Sequence, residues 1–403
     1  MKRIPALFLS LILTVGILTA CGDAQNTDAT QPATEAASTE PTATEPIGVI
    51  TDEIRAELAE AFEDIFTQRL YEGAAYVVYQ GEEVYAGGTG KANKSENIDN
   101  SAEVVYRVGS VTKQFTAAAI LKLCEQGKMS LGDTVGMYFS EYTTGRNITI
   151  HDLLSMQSGI RDYVRSYDEN GYEIESSGIF INGVEQENTA EQNIDALKTF
   201  IFSHELLYTP GERYSYSNSN YFLLGLIVSQ VSGMSCHDYI RTNFFEPLKM
   251  DTAGFIDAYD HPDAVVAKGY NRANAADLFN CPGVAFACGD IMASPKDLYK
   301  WTIALHTGKV LGDEMYREMT AVHAGNPAES TCYGYGLMIA DIGETRLIFH
   351  SGSIPGFISF VAYIPEQDCF IALTNNHGSE NTPTIAIKLL EILGEKLTET
   401  AMK

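Results

Sequence analysis

A serine and a lysine lie three residues apart where an apolar stretch of the chain begins. Ser110 and Lys113 are the only S-x-x-K pair. The apolar positions that follow are Phe115, Ala118, Ala119, Leu121 and Cys124. Their spacing predicts a helix with the serine and the lysine on one face, and backbone N–H groups at its first turn would face any oxyanion formed there. Alone, this pattern is better explained by a helix-capping serine and a solvated lysine. A buried lysine, however, has a lowered pKa and could accept the proton of Ser110 as it attacks.

Two further polar motifs stand later in the chain. Tyr216-Ser217-Asn218 is the only Y-x-N and lies in a polar turn before the apolar helix predicted from Phe222 to Val231. Its hydroxyl could relay a proton and its amide could hold a substrate, although a turn with an asparagine cap would explain it in isolation. His350-Ser351-Gly352-Ser353 follows a predicted strand, where a lone histidine is more often structural. Three such motifs in this order are not expected by chance.

The elements that must position these motifs suggest an α+β fold. A helix capped by Thr51 runs to about Leu70, and a β-hairpin of residues 74–79 and 84–85 follows it. Short apolar runs at 347–349, 357–363 and 369–373 predict further strands, and a last helix runs from about Pro383 to Leu397. The middle of the chain is mainly helical in pattern. We therefore expect one antiparallel sheet built from both chain ends and flanked by helices, with an inserted mainly helical lobe and a cleft between lobe and sheet.

With these motifs, residues 50–397 resemble the serine penicillin-recognising hydrolases, which include class C β-lactamases, D-alanyl-D-alanine carboxypeptidases and esterases. The likeness extends to the segments 107–113, 148–159, 210–211 and 333–336. It implies a β-lactamase/transpeptidase-like fold and a serine hydrolase that cleaves amide or ester bonds through an acyl-enzyme. It implies no metal and no other cofactor.

The resemblance also implies a role for each motif residue. Ser110 would be the acylated nucleophile, Lys113 its base, Tyr216 the proton relay and Asn218 a contact to the substrate amide. The backbone N–H groups of Ser110 and Ser353 would form the oxyanion hole, with Ser351, Gly352 and Ser353 on the substrate-binding strand. His350 would lie opposite Tyr216, where it would orient the hydroxyl or carry a second proton.

This chain departs from the family pattern at places that affect substrate choice. His350-Ser-Gly352 stands where β-lactamases of this group usually have Lys-Thr-Gly, and the histidine form is found in carboxypeptidases, aminopeptidases and esterases. Carboxypeptidases often carry an arginine on the preceding strand to hold a terminal carboxylate, but residues 337–341 contain none. Arg346 is the nearest basic residue, and the hydroxyls of Ser351 and Ser353 are other candidate donors. We expect ester hydrolysis at least as efficient as D-alanine release.

The first residues have the layout of an export signal. Lys2 and Arg3 precede an apolar run from Ile4 to Ala20, and Cys21 follows it in a segment that resembles a bacterial lipobox. We interpret residues 1–20 as a lipoprotein signal peptide, 21–48 as a disordered Thr/Ala/Glu/Pro tether and 49–400 as the hydrolase domain. The alternative is an ordinary signal peptide or a short anchor. The expected location is outside the cytoplasm on the bacterial membrane, with a small molecule or a peptidoglycan peptide as substrate.

Charge and motif content exclude several other functions. The chain has 27 Lys and Arg against 53 Asp and Glu, a formal charge of −26 that disfavours nucleic acid as a partner. No cysteine or histidine spacing indicates a metal site, and Cys281 with Cys288 is the one close pair for a disulfide, although buried thiols are equally compatible. An α/β-hydrolase would need a G-x-S-x-G turn, which is lacking. A sensor that β-lactams acylate without turnover remains the alternative.

Overall fold

The computed structural model describes residues 50–167, 173–174, 181–270, 278–326, 331–342, 345–378 and 382–401. The predicted signal peptide, the predicted lipidation site Cys21 and the predicted tether lie outside these residues. Among the helices that are described, none is long and apolar enough to cross a membrane.

The secondary structure alternates short strands with helices of very different lengths. The strands are β1 Gly73–Tyr79, β2 Glu82–Thr89, β3 Lys91–Asn93, β4 Ile98–Asp99, β5 Tyr106–Arg107, β6 Ser166–Tyr167, β7 Glu173–Ile174, β8 Gly254–Phe255, β9 Ile291–Ala293, β10 Ala324–Asn326, β11 Thr331–Tyr333, β12 Met338–Ile342, β13 Thr345–Ile354, β14 Phe357–Ile364 and β15 Cys369–Asn375. The helices are α1 Asp52–Gln68, α2 Thr112–Glu125, α3 Val135–Tyr138, α4 Ile150–Leu154, α5 Ala190–Phe202, α6 Asn218–Ser232, α7 Cys236–Ile240, α8 Phe286–Gly289, α9 Pro295–His306, α10 Asp313–Thr320 and α11 Thr382–Ala401.

One eight-stranded antiparallel sheet joins the two ends of the chain. Its strand order is β10-β11-β12-β13-β14-β15-β1-β2, so the N-terminal hairpin pairs directly with the last strand. Val77 lies opposite Ile371 in that pairing, and β1 is buried along its whole length because apolar clusters cover both faces of the sheet there. The predicted α+β architecture is confirmed, including the sheet built from both chain ends.

The two faces of the sheet bury different helices. On one face, Leu58 and Phe62 of α1 and Leu389 and Leu393 of α11 pack in a single apolar cluster with alternate residues of the central strands. The other face packs against the lobe of the middle segment, in a larger cluster that includes α2 and α6. Side chains that alternate along a strand point to opposite faces, which explains how one strand serves both clusters.

Helix α2 runs through the centre of the molecule, and this position determines where the predicted nucleophile lies. Eleven of its residues are buried, and Phe115 stacks on the single tryptophan, Trp301, with ring centroids 3.9 Å apart. A helix that is buried on every side can be apolar all round its circumference. Ser110 precedes it in a 3₁₀ turn of residues Gly109–Val111.

One helix boundary differs from the sequence analysis, and the state of the cysteines, which the sequence left open, is now described. Helix α6 begins at Asn218, four residues before the predicted start, because the polar residues of its first turn are buried and hydrogen-bonded. Ser219 Oγ donates to the Arg161 carbonyl at 2.6 Å, and Ser158 Oγ donates to Asn220 Oδ1 at 2.5 Å. Among the residues that the structure describes, the six cysteines form no disulfide, so Cys281 and Cys288 are not joined.

Candidate active site

The hydroxyl of Ser110 lies between the side chains of Lys113 and Tyr216. Ser110 Oγ is 2.9 Å from Lys113 Nζ and 2.9 Å from the Tyr216 hydroxyl oxygen. Burial raises the pKa of Tyr216 above its ordinary value of 10.0, so this phenol stays protonated and donates its hydrogen to Ser110. The two partners come from segments about a hundred residues apart in the chain, and both reach the same oxygen.

Lys113 is a fully buried charged side chain in the middle of the site. It is 0% exposed, and burial lowers its pKa to about 8, while the Cys288 thiol and Asp162 act in the opposite direction. Nζ donates to Asn218 Oδ1 at 2.8 Å and to the Cys288 carbonyl oxygen at 2.8 Å. A neutral amine has two hydrogens and one lone pair, and these two oxygens take both hydrogens. The lone pair is then left for the proton of Ser110.

Asn218 connects Lys113 to a carboxylate that the sequence analysis did not find. Its Nδ2 donates to Asp162 at 3.0 Å from Oδ2 and 3.3 Å from Oδ1. The side chain of Asp162 is 0% exposed and forms an ion pair with Arg165, whose Nε lies 3.4 Å from Oδ2. Both ends of the Asn218 amide therefore have partners inside the protein, and the predicted contact of Asn218 with a substrate amide stays a prediction.

The opposite wall of the site is strand β13, which approaches the nucleophile through two glycines. A Cβ on Gly352 would lie 1.9 Å from the carbonyl oxygen of Val108, and the same oxygen accepts a hydrogen bond from Ser359 Oγ at 2.8 Å. A Cβ on Gly109 would lie 3.0 Å from the backbone nitrogen of Ser353, and its φ of +52° favours glycine. This close contact brings the predicted oxyanion-hole strand next to the 3₁₀ turn that carries Ser110.

His350 lies in the same wall but does not hydrogen-bond to Tyr216. Its Nδ1 donates to the Ser351 carbonyl at 2.6 Å, so Nε2 is the acceptor and takes the hydroxyl of Tyr333 at 3.3 Å. The rings of His350 and Tyr216 are 6.4 Å apart between centroids. Burial, with a smaller contribution from Lys113, lowers the pKa of His350 to about 3. The histidine is therefore neutral near pH 7, and Tyr333 receives the contact that the sequence analysis expected for Tyr216.

Arg346, the candidate carboxylate ligand, is paired elsewhere. Its Nε and Nη2 donate to the two carboxylate oxygens of Asp341 at 2.8 and 3.0 Å, a bidentate pair between β12 and β13. It precedes His350 by four residues, about 13 Å along an extended strand. Two serines on β13 carry the other candidate hydroxyls: Ser353 is exposed and Ser351 is half-buried. Across the described ranges, no three His, Cys, Asp or Glu side chains are grouped as a metal site would need.

Comparison with known proteins places this arrangement in a family. The sequence model described as Beta-lactamase matches residues 56–393, which include every site residue from Ser110 to Ser353. The chain belongs to the Beta-lactamase family. Among curated members, PbpX of Bacillus subtilis is 28% identical over 335 residues, which are 81% of this chain and 76% of PbpX. Protein flp of Staphylococcus aureus is 28% identical over 340 residues, and the chain covers only 63% of flp.

Solved structures show the same Beta-lactamase family fold. The octameric penicillin-binding protein homologue from Pyrococcus abyssi is 30% identical, with a TM-score of 0.70 over 87% of this chain and 79% of the other. The D-amino acid amidase from Ochrobactrum anthropi has a TM-score of 0.69 at 24% identity, covering 87% of this chain and 99% of the amidase. At that identity the second likeness shows the fold alone.

Lys113 and Tyr216, whose side chains hydrogen-bond to Ser110 in the described part of the chain, were both predicted from the sequence, whereas the groups behind them were missed. Asp162 lies in no motif that the sequence analysis interpreted, and only its distance from Asn218 reveals it. The Cys288 carbonyl is a backbone group and has no sequence signal. Tyr333 stands in the Tyr-Gly-Tyr-Gly segment of the resemblance, and that segment was the available clue.

Proposed function

We propose that this protein is a serine hydrolase that cleaves ester or amide bonds through an acyl-enzyme on Ser110. One observation carries the proposal: a single serine oxygen lies 2.9 Å from a buried amine and 2.9 Å from a protonated phenol. A weak nucleophile of this kind is activated by an adjacent base, and the lowered pKa of Lys113 makes it a base near neutral pH. Membership of the Beta-lactamase family supports the same reaction class.

The proposed reaction uses both walls of the cleft. Ser110 Oγ attacks the carbonyl carbon while its proton passes to Lys113 Nζ, and the N–H groups of Ser110 and Ser353 hold the oxyanion. Such donors each contribute about 3 to 4 kcal/mol to the stability of the transition state. The leaving group takes a proton through the Tyr216 hydroxyl as its bond to carbon breaks. Water then attacks the carbonyl carbon of the acyl-enzyme while one of its protons passes to Lys113, the bond from that carbon to Ser110 Oγ breaks, and Oγ takes the proton back.

Within this class we propose that acyl esters are hydrolysed at least as efficiently as terminal D-alanine is released. A carboxypeptidase must hold a terminal carboxylate beside the scissile bond, and Arg346, the candidate cation for that contact, is bound by both oxygens of Asp341 instead. The His350 ring contributes no charge, because its pKa of about 3 keeps it neutral. A site built to bind a charged group discriminates strongly against substrates that lack it, whereas a site without that group gives a terminal carboxylate no such advantage.

A panel of substrates tests this proposal. Purified protein is assayed with p-nitrophenyl acyl esters and with a D-Ala-D-Ala peptide, next to Ser110→Ala as the inactive control and Arg346→Gln as the control for the paired arginine. We expect ester turnover to equal or exceed D-alanine release, and Arg346→Gln to leave both rates within about twofold. Faster D-alanine release that depends on Arg346 would make the protein a carboxypeptidase.

A second candidate is a cell-envelope module that β-lactams acylate without turnover. The observation that favours it is the 30% identity to a structure named as a penicillin-binding protein homologue. Incubation with a fluorescent penicillin, followed by a chase, separates the two candidates. A label that stays on Ser110 for hours, with no ester turnover, supports the sensor, whereas turnover of any ester in the panel supports the hydrolase.

We also propose that the protein is exported and held on the bacterial membrane by a lipid on Cys21, which would give it access to small molecules or peptidoglycan peptides outside the cytoplasm. The support is the charged and apolar sequence before Cys21 and the acidic, aromatic-free segment after it. Cys21→Ser should abolish incorporation of a labelled fatty acid, with Cys124→Ser as the matched control. Unchanged labelling of the Cys21 variant would refute the anchor.

A further inference from the structure

Resting on the proposed function, we propose that Asp162 is a positioning residue that sets the direction of proton transfer from Ser110 to Lys113. The carboxylate does so by fixing the rotation of the Asn218 amide.

Asp162 fixes which end of the Asn218 amide donates a hydrogen bond and which end accepts one. An ionised carboxylate accepts hydrogen bonds and donates none, so the end of the amide that faces Asp162 must be the NH₂ group. The carbonyl oxygen of Asn218 then faces Lys113 and accepts one of its hydrogens at 2.8 Å. Without the carboxylate the amide could rotate and present a donor to the amine, whose lone pair would then be occupied.

Asp162 is held firmly enough to act in this way. Its oxygens accept the backbone N–H of Val164 at 3.2 Å as well as the Asn218 amide, and Arg165 lies 3.4 Å from Oδ2. Its backbone N–H donates to the hydroxyl of Tyr167 at 3.1 Å. Burial raises the pKa of Asp162 above its ordinary value, and Arg165, the Val164 N–H, Lys113 and Asn218 offset only part of that increase. A buried carboxylate with this many partners has a defined orientation.

The charge of Asp162 also reaches Lys113, although other titratable groups surround the amine. The groups that face Lys113 are Asp162 in the segment after α4, Tyr216 before α6, Tyr221 on α6, Cys288 on α8 and His350 on β13. Those that face Asp162 are Lys113, Tyr163, Arg165, Tyr216 and Cys288. Asp162 is the one carboxylate among these named groups around Lys113, and its charge raises the pKa of the amine. Removing it should therefore lower the pKa of Lys113.

The experiment measures kcat/KM for an acyl ester against pH in full-length protein carrying Asp162→Asn. We expect the acidic limb of the profile to move about one pH unit lower, the size typical of losing one nearby opposite charge. We also expect the plateau above that limb to fall at least about tenfold, because the amide of Asn218 is no longer fixed and the amine is a weaker base. Asp297→Asn is the matched control, because it makes the same change at a buried aspartate that accepts hydrogen bonds from Thr252.

Arg165→Gln tests the same role where Asp162→Asn does not fold. It retains the carboxylate and removes its cationic partner. The charge of Asp162 then holds a proton on Lys113 more strongly, so the acidic limb of the profile should move to higher pH. A limb that stays in place in Asp162→Asn, or in Arg165→Gln when that variant alone folds, overturns the role of Asp162. Failure of the proposed function is distinguishable, since the wild-type protein would then neither hydrolyse esters nor react with a fluorophosphonate at Ser110.

Discussion

The two walls of the cleft act on Ser110 by different means. The helical wall presents a chain of buried polar side chains, from Lys113 through Asn218 to Asp162, and in the proposed mechanism their hydrogen bonds direct the proton of Ser110. The β13 wall presents backbone at close range through Gly352, and its histidine, His350, is neutral near pH 7. The proposed mechanism thus separates proton transfer and oxyanion binding in space, and changes to each wall should have different kinetic signatures.

The largest expected effect comes from removing the base of the helical wall. Lys113→Met should lower kcat/KM by about a thousandfold, within the range that a general base supplies. Lys122→Met is the matched control on the same helix, since Lys122 Nζ donates to the Val310 carbonyl instead of to the site. Ester turnover and the melting temperature are measured for both. A loss of less than tenfold in folded Lys113→Met would show that another group takes the proton of Ser110.

The next largest loss is expected from a substitution that displaces the β13 wall without changing any titratable group. Gly352→Ala places a methyl group 1.9 Å from the Val108 carbonyl oxygen, so the strand must move away from the nucleophile turn. A displacement of about 1 Å costs about a hundredfold in rate. We expect kcat/KM to fall by about that factor while the acidic limb keeps its pH.

Gly394→Ala serves as the control for Gly352→Ala, because a Cβ on Gly394 meets nothing within 4 Å. In the interior of helix α11 this change should stabilise the protein by up to about 1 kcal/mol and leave activity intact. A shifted pH limb in Gly352→Ala would mean that the two walls are not separate.

A smaller loss is expected from Tyr216, which contacts Ser110 from the helical wall. Tyr216→Phe should lower kcat/KM by about ten- to a hundredfold, because the hydroxyl that donates to Ser110 is removed. Combined with Lys113→Met, the loss should be far smaller than the product of the two single losses, since residues of one proton path are not additive. Multiplying losses would contradict a shared path.

The smallest effect should come from substituting His350. The pH profile of this variant shows whether Lys113 or His350 is the base. Lys113 must be neutral to accept a proton, so kcat/KM should rise with pH up to its pKa of about 8 and then level off. His350 has a pKa of about 3 and does not change charge between pH 5 and 9. His350→Gln should therefore lower the rate less than about tenfold and leave the limb near pH 8. A limb near pH 6.5 that this substitution removes would assign the base to His350.

The sequence predicted the contacts of the nucleophile better than the surroundings of those contacts. Ser110, Lys113 and Tyr216 stand in short motifs, and residues that must meet one oxygen leave a pattern of type and spacing. The sheet of both chain ends also followed from alternating apolar runs. By contrast, the pairing of Arg346 with Asp341 depends on strand register, and the contact between His350 and Tyr333 depends on which ring the fold places nearer. Neither could be read from motif spacing.

Acylation of Ser110 underlies every step of the proposed reaction, and it can be tested by mapping a covalent adduct. The full-length protein is incubated with a fluorophosphonate, digested, and analysed by mass spectrometry, with Lys113→Met and Ser110→Ala treated in parallel. We expect a single adduct on Ser110, strongly reduced in Lys113→Met and lost in Ser110→Ala. An adduct on Ser353 or Ser217, or labelling that persists in Ser110→Ala, would contradict it.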